Sequence, residues 1–172
     1  MDKKLLFTLL FMLLSSYSFS QSGVSVGDKA PDPTIDEWIK GTPVTSFEEG
    51  KVYVVEFWGT WCGPCIENIP HLSNLQKEYS ADGLTIIGVA THEFDGREAL
   101  DEFMKERGDE MEYTVAYDGD LSMEIKWDTG VKNEEQFRLP LSFIIDRDGY
   151  VVFVGHPSDE KFDSALKSTI TE

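Results

Sequence analysis

Cysteine is nearly absent. The 172-residue chain has two, Cys62 and Cys65, three positions apart. A disulfide scaffold staples distant segments, because stabilisation grows with the loop that is closed. A bond between these two closes almost no loop, so stability is not its purpose. Two cysteines also fall short of a tetrahedral zinc set, and His71, His92 and His156 include no pair at a supporting spacing. No metal and no other cofactor is expected. Basic residues are scarce too: 15 Lys and Arg stand against 32 Asp and Glu, a net charge of −17. Such a surface repels nucleic acid and anionic lipid, and no basic patch interrupts it. Repeats and low-complexity linkers are missing. What remains is 41% hydrophobic and 12% aromatic, enough for the core of one ordinary domain and unlike a disordered chain.

Long apolar runs are also missing. The longest stretch, Leu5 to Leu14, is apolar except for Thr8. It covers about ten residues, whereas a bilayer span needs roughly 20. Lys3 and Lys4 precede it, and the small and polar segment Ser15 to Ser20 follows. This three-part layout predicts a secretory signal peptide over residues 1–20, cut near Gln21, and a domain over 21–172. The alternative is a retained anchor, for which the run is short. No cysteine stands at the cut to carry a lipid. Without Asp2, Lys3 and Lys4 the remainder holds 13 basic and 31 acidic residues, net −18. Secretion across an inner membrane, into a bacterial periplasm, is the expected destination.

Past an irregular lead-in at 22–33, Ile35 to Ile39 and Val44 to Phe47 flank Gly41-Thr42-Pro43 and predict a short hairpin. Val52 to Trp58 is apolar but for Glu56, a buried strand. Ile66, Ile69, Leu72, Leu75 and Tyr79 place a helix stripe on Pro64 to Tyr79. Strands at Leu84 to Ala90 and Tyr113 to Tyr117 flank a helix over Arg97 to Arg107. Leu121 to Trp127 reads as a short helix within the polar stretch 118–138. Leu141 to Ile145 and Tyr150 to Val154 are joined by Asp146-Arg147-Asp148-Gly149, a hairpin turn. Asp159 to Ile170 closes the chain as a helix. Alternating strands and helices give an α/β sandwich of three layers, parallel in its first part and antiparallel at the terminal hairpin.

The chemistry gathers where the first long strand meets its helix. Cys62 falls at that turn, and Pro64 fits the first helical turn, where its missing N–H costs nothing. The free N–H groups and the helix dipole stabilise negative charge there. A thiol pKa near ~8.5 can fall in such a place to roughly 3.5–7.5. Since the thiolate is the attacking species, Cys62, expected to be the more exposed at the helix start, is the candidate nucleophile. Cys65, one turn further in, is the candidate resolving thiol.

The run Val54-Val55-Glu56-Phe57-Trp58-Gly59-Thr60-Trp61-Cys62-Gly63-Pro64-Cys65 resembles the active-site segment of the thioredoxin superfamily. The leader, Pro31-Asp32, Ile69-Pro70 and Phe143-Ile144-Ile145-Asp146-Arg147-Asp148-Gly149 are similar to its TlpA/ResA-like branch of secreted thiol–disulfide oxidoreductases, also called redoxin domains. The likeness covers about residues 26–170. It implies a thioredoxin-like three-layer α/β/α fold with an N-terminal β-hairpin extension and an inserted helix.

It also implies roles for particular residues. Glu56 matches an acidic position that lies beneath the second cysteine and helps to deprotonate it. A buried carboxylate with a raised pKa suits that role; the alternative is an edge-of-strand Glu reaching water. Some relatives place a Glu three residues after the second cysteine, where this chain has Asn68, so proton transfer falls on Glu56. Leu139-Pro140 matches the family's cis-proline, opposite the cysteines, where the preceding backbone pairs with an extended client. Arg138 and Leu141 depart from the usual small-residue context there. Trp61 is expected on the rim around Cys62. His92 and Glu93 read as a surface loop after a strand end, and His71 as a helix-face residue. Gly155-His156-Pro157 resembles a structural segment of redoxin relatives.

Three functions compete. The first is dithiol–disulfide exchange with secreted protein substrates, with Gly63-Pro64 favouring reduction and a membrane or soluble thiol as electron donor. Cytochrome c maturation is one destination that the resemblance suggests. The second is a thiol peroxidase of peroxiredoxin type, which the Cys-X-X-Cys pair opposes. The third is a non-catalytic partner-binding module, opposed by both cysteines and Glu56.

Overall fold

The structure is a computed structural model that describes residues 23–35, 37–127 and 139–172. The leader and Arg138 lie outside the described residues. Among the described residues six strands form one sheet: β1 (Glu37–Lys40), β2 (Val52–Trp58), β3 (Leu84–Ala90), β4 (Thr114–Tyr117), β5 (Leu141–Ile145) and β6 (Val151–Gly155). Among the described residues four α-helices accompany them: α1 (Gly63–Tyr79), α2 (Gly96–Arg107), α3 (Ser122–Trp127) and α4 (Glu160–Thr171).

The sheet order is β1-β4-β3-β2-β5-β6. The pairs β2–β3 and β3–β4 are parallel, while β1–β4, β2–β5 and β5–β6 are antiparallel. β2 is buried at every position, which is why its sequence is a nearly unbroken apolar run. Its side chains alternate between two cores. Val52, Val54 and Trp58 join Cys62, Cys65, Ile69, Leu72, Leu100, Phe162 and Leu166, so α1, α2 and α4 cover that face. Tyr53, Val55 and Phe57 join Met123, Trp127 and Phe143 on the opposite face. There α3 and the N-terminal residues Val24, Ile35, Val44 and Phe47 form the third layer, against which Trp38 of β1 packs.

The expected N-terminal hairpin does not form. β1 pairs instead with the edge of β4, Glu37 against Tyr117 and Lys40 against Val115. Pro43 has no N–H to give to a ladder, and Val44 and Phe47 pack into the second core rather than pairing with β1. The chain leaves β1 through Gly41 at φ 83°, so close to β4 that a Cβ there would lie 2.6 Å from Thr114 Oγ1. The inserted-helix expectation is met between β3 and β5, where α2 and α3 flank β4. The terminal hairpin turns at Asp146, whose carboxylate accepts the Asp148 and Tyr150 N–H groups at 3.0 and 2.8 Å.

Candidate active site

Cys62 is the N-cap of α1, and its Sγ accepts the Cys65 N–H at 3.2 Å. The two sulfurs form a disulfide with a Cα–Cα distance of 5.3 Å. No acidic side chain occupies the first turn of α1, so none within that turn opposes the helix dipole at Cys62. Both cysteines are buried, Cys62 at 5% and Cys65 at 2% relative exposure, under the exposed Gly63 and Pro64. The expected contrast in exposure is therefore small, and position on the helix separates the two sulfurs better than access does.

Below them lies Glu56, 2% exposed. By alternation with Val54 and Trp58 its carboxyl belongs to the face that packs on α1 and the cysteines. Burial raises its pKa to about 8. The edge-of-strand reading is excluded. Asn68 serves packing between helices instead. It donates to the Pro64 carbonyl at 2.8 Å and accepts from the Ser158 hydroxyl at 2.7 Å, tying α1 to the segment after His156-Pro157. His71 sits on the helix face as expected, with Nε2 3.0 Å from Asp163 Oδ1 on α4.

The antiparallel register pairs Phe57 with Leu141, so the start of β5 lies beside the end of β2. Leu139-Pro140, just before β5, therefore stands at the same end of the sheet as the cysteine turn. The Leu139–Pro140 peptide is cis, as the resemblance implied. Leu139 packs against the cluster that holds Cys62 and Cys65. With Pro140, Leu141, Val154, Gly155 and His156 it lines an open cavity of about 400 Å³.

The loop after β3 has a larger part than a surface loop. The Glu93 carboxylate accepts both the Thr60 N–H, at 2.9 Å, and the Thr60 hydroxyl, at 2.5 Å. Partial burial raises the Glu93 pKa, against the pull of those two hydrogen bonds. His92, at φ 51°, presents its carbonyl to the Trp61 indole N–H at 2.7 Å. Its imidazole lies 2.5 Å from Glu124, a buried carboxylate that also accepts the Thr91 hydroxyl at 2.9 Å. The Trp61 ring, 37% exposed, packs at a tilt against Phe94 with centroids 4.9 Å apart. Gly59 makes this turn possible, because a Cβ there would meet Trp61 Nε1 at 2.7 Å. Thr60 and Trp61, the two residues before Cys62, are thus held from a loop about thirty positions away. Sequence reasoning missed this clamp; its one signal was a polar His-Glu pair at a strand's C-terminal end.

A cysteine pair capping the first long helix, over a buried acid and beside a cis-proline at the same sheet end, defines a thioredoxin-fold dithiol–disulfide protein. The chain belongs to the Redoxin family, whose model matches residues 25–169. Protein FixW of Rhizobium leguminosarum is 30% identical over 139 residues, which span 78% of this chain and 62% of FixW. The thiol-disulfide oxidoreductase ResA of Bacillus thuringiensis subsp. konkukian is 29% identical over 160 residues, 91% of this chain and 86% of ResA. Among solved structures, one from Chlorobium tepidum, provisionally assigned as the thiol:disulfide interchange protein DsbE, aligns with a TM-score of 0.71 and 26% identity. The alignment covers 86% of this chain and 99% of that one. The fold is thioredoxin-like, and the chain is a thiol–disulfide oxidoreductase of the ResA- and DsbE-like kind.

Proposed function

We propose that the chain reduces disulfides of secreted or envelope proteins, with Cys62 attacking, Cys65 resolving and Glu56 moving the proton. The observation that carries this reading is the Cys62 sulfur at the N-cap of α1, accepting the Cys65 N–H. In the reduced protein the Cys62 thiolate attacks one sulfur of a client disulfide. The client S–S bond breaks, a mixed disulfide forms, and the first client thiolate takes a proton from water. Cys65 then gives its proton to the Glu56 carboxylate and attacks Cys62 Sγ. The second client sulfur leaves as a thiolate and takes a proton from water, Glu56 later gives its proton to water, and two electrons have passed from the cysteine pair to the client. The product is the disulfide seen here. A membrane or soluble dithiol restores the reduced form.

Trp61, Leu139 and Pro140 are the client-facing residues in this reading. Support comes from their place beside Cys62 and from the cavity at Leu139 and Pro140. Extracytoplasmic action rests on the signal-peptide layout of residues 1–20, with the periplasm as its bacterial setting. Among the described residues no helix is long and apolar enough to cross a membrane.

Direction is tested by equilibrating the Cys62–Cys65 couple with glutathione. A reductant is expected below about −200 mV; a potential well above that value makes the protein an oxidase instead.

A further inference from the structure

Four buried polar atoms without a hydrogen-bond partner lie on the α1 face of the sheet: Glu56 Oε1, Trp58 Nε1, Tyr113 OH and Ser142 Oγ. They converge on one place. Glu56 pairs across the sheet with Gly88 of β3 and with Ser142 of β5, so the three residues form one row on one face. Trp58 is two positions along the same strand face. Gly88 has no side chain, and two groups fill the space: a Cβ there would lie 3.0 Å from the Tyr113 ring and 3.2 Å from Trp58 Nε1. The Tyr113 phenol feels the Glu56 charge. The roof is the Cys62–Cys65 segment of α1, and Phe103 of α2 stacks on Trp58 at 5.4 Å.

Each of the three neighbours has a proton to offer. Trp58 can only donate, the Tyr113 and Ser142 hydroxyls donate as well as accept, and Glu56 accepts from several donors at once when it is ionised. Among the described residues facing it, Tyr113 is titratable, the two cysteines are joined in the disulfide, and none carries a permanent charge. Burial of unmatched donors is costly, so such a set is retained where it meets an acceptor. We propose that Tyr113, with Ser142 and Trp58, is a positioning residue for Glu56: the three donors close on its carboxylate, directly or through one bridging water, and set its affinity for the proton taken from Cys65. This inference rests on the proton-transfer role proposed for Glu56, but its test does not.

The experiment is an infrared pH titration of the oxidised full chain, in which the cysteines do not titrate. The protonated-carboxyl band that disappears in Glu56→Gln reports Glu56 alone. Removing one hydrogen bond to a charged group corresponds to about a tenfold change in proton affinity. Tyr113→Phe keeps the ring and loses the donor, so its midpoint is expected about one unit above that of the wild-type protein. Ser142→Ala, a smaller change, is expected to move it in the same direction. Unchanged or lowered midpoints in both variants, or no such band in the wild-type protein, would overturn the inference. The catalytic reading fails separately, if Glu56→Gln leaves the pH profile of the resolving step unaltered.

Discussion

Glu56 shows how one residue couples stability to chemistry. Its carboxyl titrates near 4.5 in an ordinary setting and at about 8 in the folded chain. Between those values the unfolded chain releases a proton that the folded chain keeps. Ionisation therefore favours unfolding: stability is full below about pH 4.5 and declines as pH rises to about 8. The slope is at most about 1.4 kcal/mol per pH unit. Glu56→Gln has no such proton to lose. Urea unfolding of the oxidised protein is expected to show the variant gaining on the wild-type protein between about pH 5 and pH 8, by about 1.4 kcal/mol per unit at most. Parallel stability curves would remove Glu56 as a buried neutral acid. In the proposed mechanism that cost has a use: a carboxyl poised near neutrality takes a proton from Cys65 and returns it later.

At the scale of elements, the strands buried on both faces were the most legible. Val52–Trp58 and Leu84–Ala90 match their apolar runs end to end, because continuous burial writes a continuous signal. Glu56 was legible for the same reason, as the one charge in such a run. The hairpin at 35–47 was misread: two apolar patches around a turn resemble paired strands, yet the open edge of β4 competed for β1. The clamp of Glu93 on Thr60 left only the His92-Glu93 pair as a signal, since loops carry no period and the partners lie 33 positions apart. The unmatched donors around Glu56 were unreadable before the register was known. The clamp makes a prediction of its own. Glu93→Ala strands the Thr60 N–H and hydroxyl, at an expected cost of about 1–3 kcal/mol in urea unfolding. Insulin reduction should slow several-fold, as the turn ahead of Cys62 loosens, with Glu93→Gln recovering part of both. Full activity in Glu93→Ala would make the clamp incidental to exchange.

For the whole molecule, the resemblance that named the branch also marked a structural tie. Arg147, in the turn between β5 and β6, donates to the carbonyls of Gly50 at 2.5 Å, Asp82 at 3.3 Å and Ile170 at 2.7 Å. One planar guanidinium thus joins the entry to β2, the turn after α1 and the end of α4, far from the cysteines in the sheet. A lysine cannot span three acceptors in that way. Arg147→Lys is expected to lower stability by about 1–3 kcal/mol in thermal or urea unfolding, with exchange rates unchanged; a slowed exchange would mean that the two ends of the sheet are coupled. In the proposed mechanism the exchange chemistry belongs to the other end, with Cys62 attacking and Cys65 resolving. That division of labour is tested most directly by trapping. Reduced Cys65→Ser and reduced Cys62→Ser variants are mixed with a disulfide-containing protein such as insulin and searched for a covalent adduct. A mixed disulfide is expected to accumulate on Cys62 in Cys65→Ser and to fail to form in Cys62→Ser. Equal trapping by both variants, or trapping on Cys65 alone, would contradict it.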